Sequence, residues 1–180
     1  MGRSNEENPY VAPRAGGGRA EDAPGGLPVA GVGRRVAAYV VDIVPITLAL
    51  STVFYFFFGL DETLSNYFGN LGNQEARAQF LLERNRIRDL SFLVWVIYGA
   101  ILEASPLHGT LGKKLLGIQV VDGSGRPLTF KRSLGRNAAK LLSYLPLALG
   151  FIWIVFSKKR QGWHDRLAKT WVVRTASARP

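Results

Sequence analysis

The sequence predicts an all-α membrane protein: two transmembrane helices, a third apolar segment (a re-entrant hairpin or a third span), and a small two-stranded cytoplasmic β element. Three observations carry this. Val36 to Phe58 form an apolar run of 23 residues holding a single carboxylate, Asp42. At about 1.5 Å per helical residue, that run crosses a hydrocarbon core of about 30 Å with some tilt. Basic residues gather beside the apolar stretches, and two strand-patterned segments flank the last of them.

The first span, 36–58, opens behind Arg34 and Arg35. Its Pro45 lacks an amide proton and frees the carbonyl of Val41, beside Asp42, so the helix is expected to kink there. The alternative is a tolerated membrane proline whose carbonyl a neighbour satisfies. A polar connection, 59–89, follows. Its second half mixes charge with Phe80, Leu81, Leu82 and Ile87, an amphipathic pattern that either lies at the interface or lengthens the next span. That second span, 90–104, is short for a crossing and needs the extension or a thinned bilayer. Glu103 closes it and is expected to reach head groups or water.

Beyond Pro106 the pattern changes. Gly117 to Val121 read as a strand ending in a turn, and Thr170 to Arg174 as a second strand. A lone strand leaves its backbone groups unpaired, so the two are expected to pair. Between them lie a basic helix around Phe130 to Lys140 and the third apolar segment, 141–156.

Charge sets the topology. Lysines and arginines number 5 in residues 1–35, 4 in 59–89, 7 in 105–140 and 7 in 158–180, against 4, 5, 1 and 1 acids. By the positive-inside rule the tail, 105–140 and the C-terminus are cytoplasmic, and 59–89 is external. A single crossing by 141–156 would put the C-terminal strand on the wrong side to pair. The expectation is therefore a shallow hairpin turning near Pro146 to Gly150, with an ordinary third crossing as the alternative. Residues 1–30 are Pro- and Gly-rich and read as a disordered cytoplasmic tail without a hydrophobic stretch of signal length. The first span then serves as an uncleaved anchor. Residues 31–174 form the membrane domain, and 175–180 a disordered end.

Composition excludes several functions. The net charge of +10 would suggest nucleic acid in a soluble chain, but here the basic residues flank apolar spans and fit anionic lipid. Without cysteine there is no disulfide, thiolate metal site or cysteine nucleophile. GTLGKK lacks the spacing of a phosphate loop, and no Ser sits in a nucleophile motif, so no enzyme is expected. His108 and His164 have no third ligand at a recognisable spacing, so neither a metal nor a cofactor is implied.

An ionisable group at membrane depth marks a functional site by default, which singles out Asp42. Arg35 lies two turns earlier on the same face, about 10 Å away along the axis. It is expected to snorkel to the cytoplasmic interface, with Arg34 as a plain lipid anchor. Lys113 and Lys114 are expected to meet lipid phosphates or cap a helix end. Lys158, Lys159 and Arg160 stop the third apolar segment at the head groups, and Trp163 suits an interfacial ring. Asp165 is expected to pair with Arg166, Lys169 or an arginine of the first span.

Three ordered segments resemble the RDD family of bacterial membrane proteins: RRVAAYVVD; EASPLHGTLGKKLLGIQVVDGSG; and Arg136–Asn137 followed by WHDRLAKTWVV. The resemblance covers about Gly31 to Val173. It gives the family arginine as Arg35, the first aspartate as Asp42, and the second as Asp165 or, failing that, Asp122. It implies a multi-pass protein of the bacterial inner membrane, with transport of a small ion or solute and sodium or potassium/proton exchange as the specific form. On that reading Asp42, Asp165 and Glu103 hold the ion or proton and Arg35 sets their charge. Too few helices enclose a pathway, so a homo-oligomer or a membrane-protein partner in the bilayer is expected. The alternative is a non-transporting membrane subunit that organises partners or lipid.

Overall fold

The computed structural model describes residues 23–24, 26–144, 153–154, 157 and 159–175. In chain order these form α1 (Val32–Phe57), α2 (Leu60–Gly69), α3 (Gln74–Glu103), α4 (Leu111–Leu115), β1 (Ile118–Asp122), α5 (Phe130–Tyr144), α6 (Trp163–Leu167) and β2 (Thr170–Arg174). The architecture is mostly helical with one two-stranded sheet.

Helix α1 continues through Pro45 and buries only Ala38, Asp42 and Phe54. Its remaining apolar surface is uncovered: Leu48 is 62% exposed, Phe56 70% and Phe57 78%. It is the one described helix long and apolar enough to cross a membrane.

The short apolar stretch 90–104 belongs to a longer helix. Helix α3 is one continuous element of 30 residues, about 45 Å long, starting well inside the expected polar connection. Asn73 starts it by accepting from the amides of Glu75 (2.8 Å) and Ala76 (3.4 Å). The first half of the connection also forms a helix, α2, which the sequence reading did not anticipate. Gly59 enters the left-handed region (φ +73°), and Asp61 and Glu62 then complement the dipole of the first turn.

The two strands pair as expected, and they run antiparallel, with Val120 opposite Val172 and Asp122 opposite Thr170. One face of the sheet, Ile118, Val120 and Val172, packs with Ala30 and Ala38. The other, Val121 and Val173, packs with Ala23, Leu27 and Val29. The end of the expected tail is thus ordered: Ala30 N–H donates to Val172 O at 2.9 Å, and Arg174 N–H to Pro28 O at 2.9 Å. Consecutive apolar residues, Val120–Val121 on β1 and Trp171–Val173 on β2, give both sheet faces apolar side chains, and the segment just before α1 covers the second. The turn expected near 146–150, residues 145–152 and 155–156 of the third apolar segment, residues 1–22, 25 and 176–180, and Lys158 lie outside the described residues, while 141–144 continue α5.

Candidate functional site: a buried ionic cluster and the Asp42 cap

Helix α5 turns its polar face inward. Ser133, Arg136, Asn137 and Lys140 recur at the spacing of one helix face, and all are at most 2% exposed. Phe130, Leu134 and Leu141 project the other way and are exposed. The polar stripe packs on α3 where Gly99 leaves room. A Cβ at Gly99 would stand 2.6 Å from Asn137 Oδ1. Ser133 Oγ closes the contact by donating to Ala100 O at 2.8 Å.

Two fully buried carboxylates anchor this stripe. Glu103 Oε2 accepts from Arg136 Nη1 (2.6 Å) and Asn137 Nδ2 (2.9 Å), and Oε1 accepts from Lys113 Nζ with Lys140 Nζ at 3.6 Å. Asp165 Oδ1 accepts from Arg136 Nε (3.0 Å) and Nη2 (2.7 Å). Its Oδ2 accepts from Arg35 Nη1 at 3.0 Å and from the amide of Gly162 at 3.2 Å, at the start of α6. Arg136 therefore bridges both carboxylates, and Arg35 ties the base of α1 to α6 and, through Val172 O (3.3 Å), to β2. Buried charges persist only when paired and fully hydrogen-bonded, and each of these four carboxylate oxygens has at least two donors or cations.

Burial raises the Asp165 carboxyl, but the adjacent His164, Arg136 and Arg35 outweigh it and hold it well below the usual carboxylate range. Burial likewise lowers His164, and with Arg136 and Lys140 nearby brings it to about 3 despite Asp165. His164 is thus neutral at pH 7, and the guanidinium groups carry the effect on Asp165. For Lys140 burial dominates, opposed by Glu103, and pulls the ammonium from 10.5 to about 7. All three groups bind a proton less readily in the folded chain than in the unfolded one. Stability therefore increases with pH across each window: below the ordinary carboxylate value of about 4 for Asp165, from about 3 to 6.5 for His164, and from about 7 to 10.5 for Lys140. Thermal unfolding of the purified chain should give a midpoint that climbs from pH 5 to pH 9. A midpoint falling over that range would contradict the buried cluster.

Asp42 belongs to a separate arrangement. Its Oδ1 accepts from the amide of Gly112 at 2.8 Å and from Tyr98 Oη at 3.3 Å, while Tyr98 Oη accepts from the amide of Leu111 at 2.9 Å. Thr110 Oγ1 accepts from the amide of Lys113 at 3.4 Å. The first three amides of α4, which have no partner within the helix, are thereby satisfied. The approach is so close that a Cβ at Gly112 would overlap the carbonyl oxygen of Ala38. Short helix α4 joins the two arrangements: Gly112 binds Asp42, and the next residue, Lys113, binds Glu103.

The RDD family model matches residues 29–169, which contain every charged residue of both arrangements. The chain belongs to the RDD family. It is 40% identical over 84 residues to a Bacillus subtilis (strain 168) protein titled "Uncharacterized protein YxaI", a match covering 47% of this chain and 55% of that protein. The chain thus spans about half the length of that curated relative. No solved structure matches.

In this RDD chain Arg35 and Asp165 meet as expected, while Asp42 and Arg35, although on one helix face, serve different partners. The expectation that Arg35 snorkels is corrected, since its side chain is 9% exposed and bound to Asp165. Glu103 does not reach head groups or water and Lys113 does not face lipid phosphate; each is buried against the other. Lys114 and Lys159 are exposed and Arg160 partly so. Asp122 caps its own turn through the amides of Ser124 and Arg126 and pairs with Arg132, so the geometry joins Asp165 to Arg35. Sequence reasoning assigned no role to Arg136, Asn137 and Lys140. The available signal was their recurrence with Ser133 along one helix face, beside a face that carries Phe130, Leu134 and Leu141. A cavity of about 300 Å³ lies against the cluster, lined by Arg35, Lys113, Arg136, Lys140 and His164 on one side and by Tyr39, Phe92 and Trp95 on the other.

Proposed function

We propose that this RDD chain is a multi-pass protein of the bacterial cell membrane that moves a small ion or solute, acting as a homo-oligomer. The observation that carries the reading is the cavity beside buried charges at the base of an apolar helix that the chain leaves uncovered. Lipid is the economical cover for that helix and for the apolar outer face of α5. The pairing of β1 with β2 and of residues 28–30 with β2 keeps the basic ends of the described chain together, which supports a cytoplasmic location for both termini.

Sodium or potassium/proton exchange is the narrower form. With the oxygens of Asp165 and Glu103 committed to cations, Asp42 is its remaining candidate among the described residues: only Oδ1 is hydrogen-bonded, which leaves Oδ2 for a proton or cation. Its link through α4 to Lys113 and Glu103 gives a route by which a change at Asp42 reaches the cluster. The test is cation-driven proton movement in proteoliposomes for the wild type and Asp42→Asn. Asparagine keeps the oxygen that caps α4 and removes the charge, so folding should persist while flux drops at least roughly tenfold. Unchanged flux would reject this role for Asp42.

One observation favours a second reading, a non-transporting subunit that organises partners or lipid: Arg35, Asp42 and Asp165 each hold one element against another. On that reading the purified protein carries no flux, and Asp42→Asn lowers the unfolding midpoint instead.

A further inference from the structure

The cavity at the ionic cluster is mostly apolar, with basic side chains along one side. Two carboxylates face it through their partners, against four basic side chains, Arg35, Arg136, Lys113 and Lys140. The carboxylate oxygens are saturated, so no acceptor on them remains for a cation. Positive charge is in excess, and a buried excess of charge is costly unless something compensates it. Lys140 is the surplus member. Glu103 is already held by Lys113 and Arg136, while Lys140 Nζ stands 3.6 Å from Glu103 and 4.0 Å from the Trp95 ring centroid, and donates to Asn137 Oδ1. Trp95 adds an independent sign. It lines the same cavity, is 5% exposed, and its indole Nε1 has no acceptor among the described residues. A buried donor of this kind normally has a partner.

We propose that this cavity binds an oxyanion, a phosphate- or carboxylate-type group, held by Lys140, Arg35 and the indole N–H of Trp95, with Phe92 and Tyr39 shielding its apolar side. Guanidinium and ammonium groups are the natural partners of such oxygens, and their hydrogen bonds strengthen where water is excluded. The oxyanion comes either from solution or from the head group of an anionic lipid, since α1 and the outer face of α5 offer apolar surface next to the cavity. This deepens the transport reading by naming the class of solute, and binding can be measured without flux.

The experiment uses the full chain in neutral detergent and in nanodiscs. The unfolding midpoint is followed against inorganic phosphate, with sodium chloride at matched ionic strength as the control. In parallel, nanodiscs of phosphatidylcholine are compared with nanodiscs containing phosphatidylglycerol. The expected result is a saturable rise in midpoint with phosphate, with phosphatidylglycerol, or with both, the responding arm identifying the source. Lys140→Met should weaken it roughly tenfold or more, and Lys140→Arg should retain much of it. Because Lys140 is the surplus cation, Lys140→Met should fold with a ligand-free midpoint close to the wild type. If it does not fold, Trp95→Phe asks the same question, and weakened anion response there supports the site. Response to neither probe beyond its control, or a full response in Lys140→Met or Trp95→Phe, overturns it. Anion binding with neither cation-driven proton movement nor phosphate uptake into proteoliposomes would remove the transport reading alone; cation-driven proton movement without anion response would remove the oxyanion site alone.

Discussion

Arg136→Met should be the most damaging single change in this chain, lowering folding stability by about 3–5 kcal/mol. Arg136 is 2% exposed and donates to Glu103 and to both sides of the contact between α5 and α6 through Asp165. Methionine fills a similar volume but leaves two buried carboxylates short of their shared cation. Burial alone would depress the Arg136 guanidinium, yet Glu103 and Asp165 raise it above its usual range, so its charge is not in question at any working pH. A loss of that size is a large part of the 5–15 kcal/mol that holds a typical domain together. The measurement is a denaturant or thermal midpoint in detergent, read beside the yield of monodisperse protein. A midpoint unchanged by Arg136→Met would mean that the cluster does not hold α3, α5 and α6 together.

The second large effect is expected at Gly112. Alanine there drives its methyl into the Ala38 carbonyl oxygen of α1 and within 3.0 Å of the Asp42 carboxylate. The first obstacle is backbone and cannot swing aside, so α4 must move away from α1. That movement breaks the Gly112 amide bond to Asp42 and strains the adjoining Lys113 contact with Glu103. Overpacking of this kind costs roughly 1–3 kcal/mol, and the stranded Asp42 adds to it. Gly33→Ala is the control, since a Cβ at Gly33 meets nothing within 4 Å and alanine is the better helix former. The unfolding midpoint of Gly112→Ala should fall while that of Gly33→Ala stays level or rises. Equal midpoints would show that α4 does not pack on α1 this closely.

Much of the architecture was legible from local pattern. The apolar run of α1, the short β-branched runs of β1 and β2 with the turn after β1, and the basic helix α5 each follow from local composition that any short window reveals. The paired strands followed from one rule, that backbone groups need partners, and the structure places them antiparallel. Helix α2 was missed because its apolar content is low and its start rests on the left-handed turn at Gly59. The order in residues 27–30 was missed because composition reports what a segment is made of, while their burial depends on a sheet face formed some 90 to 145 residues later.

The site divides along the same line. Sequence alone determined that Asp42 would be removed from apolar surroundings and that Asp165 would seek a basic partner, Arg166, Lys169 or an arginine of the first helix, since a lone charge in such a setting must find a partner. It could not say which donor reaches Asp42, because the answer is an amide of α4 brought against α1 by the absence of one side chain at Gly112. Nor could it turn Glu103 and Lys113 away from head groups and toward one another. Charges near an apolar stretch look alike in sequence whether they face lipid or protein. Only the packing of α5 on α3 at Gly99 decided that Arg136 and Lys140 point inward, because a buried ion is stable only where long-range contacts supply its counter-charge.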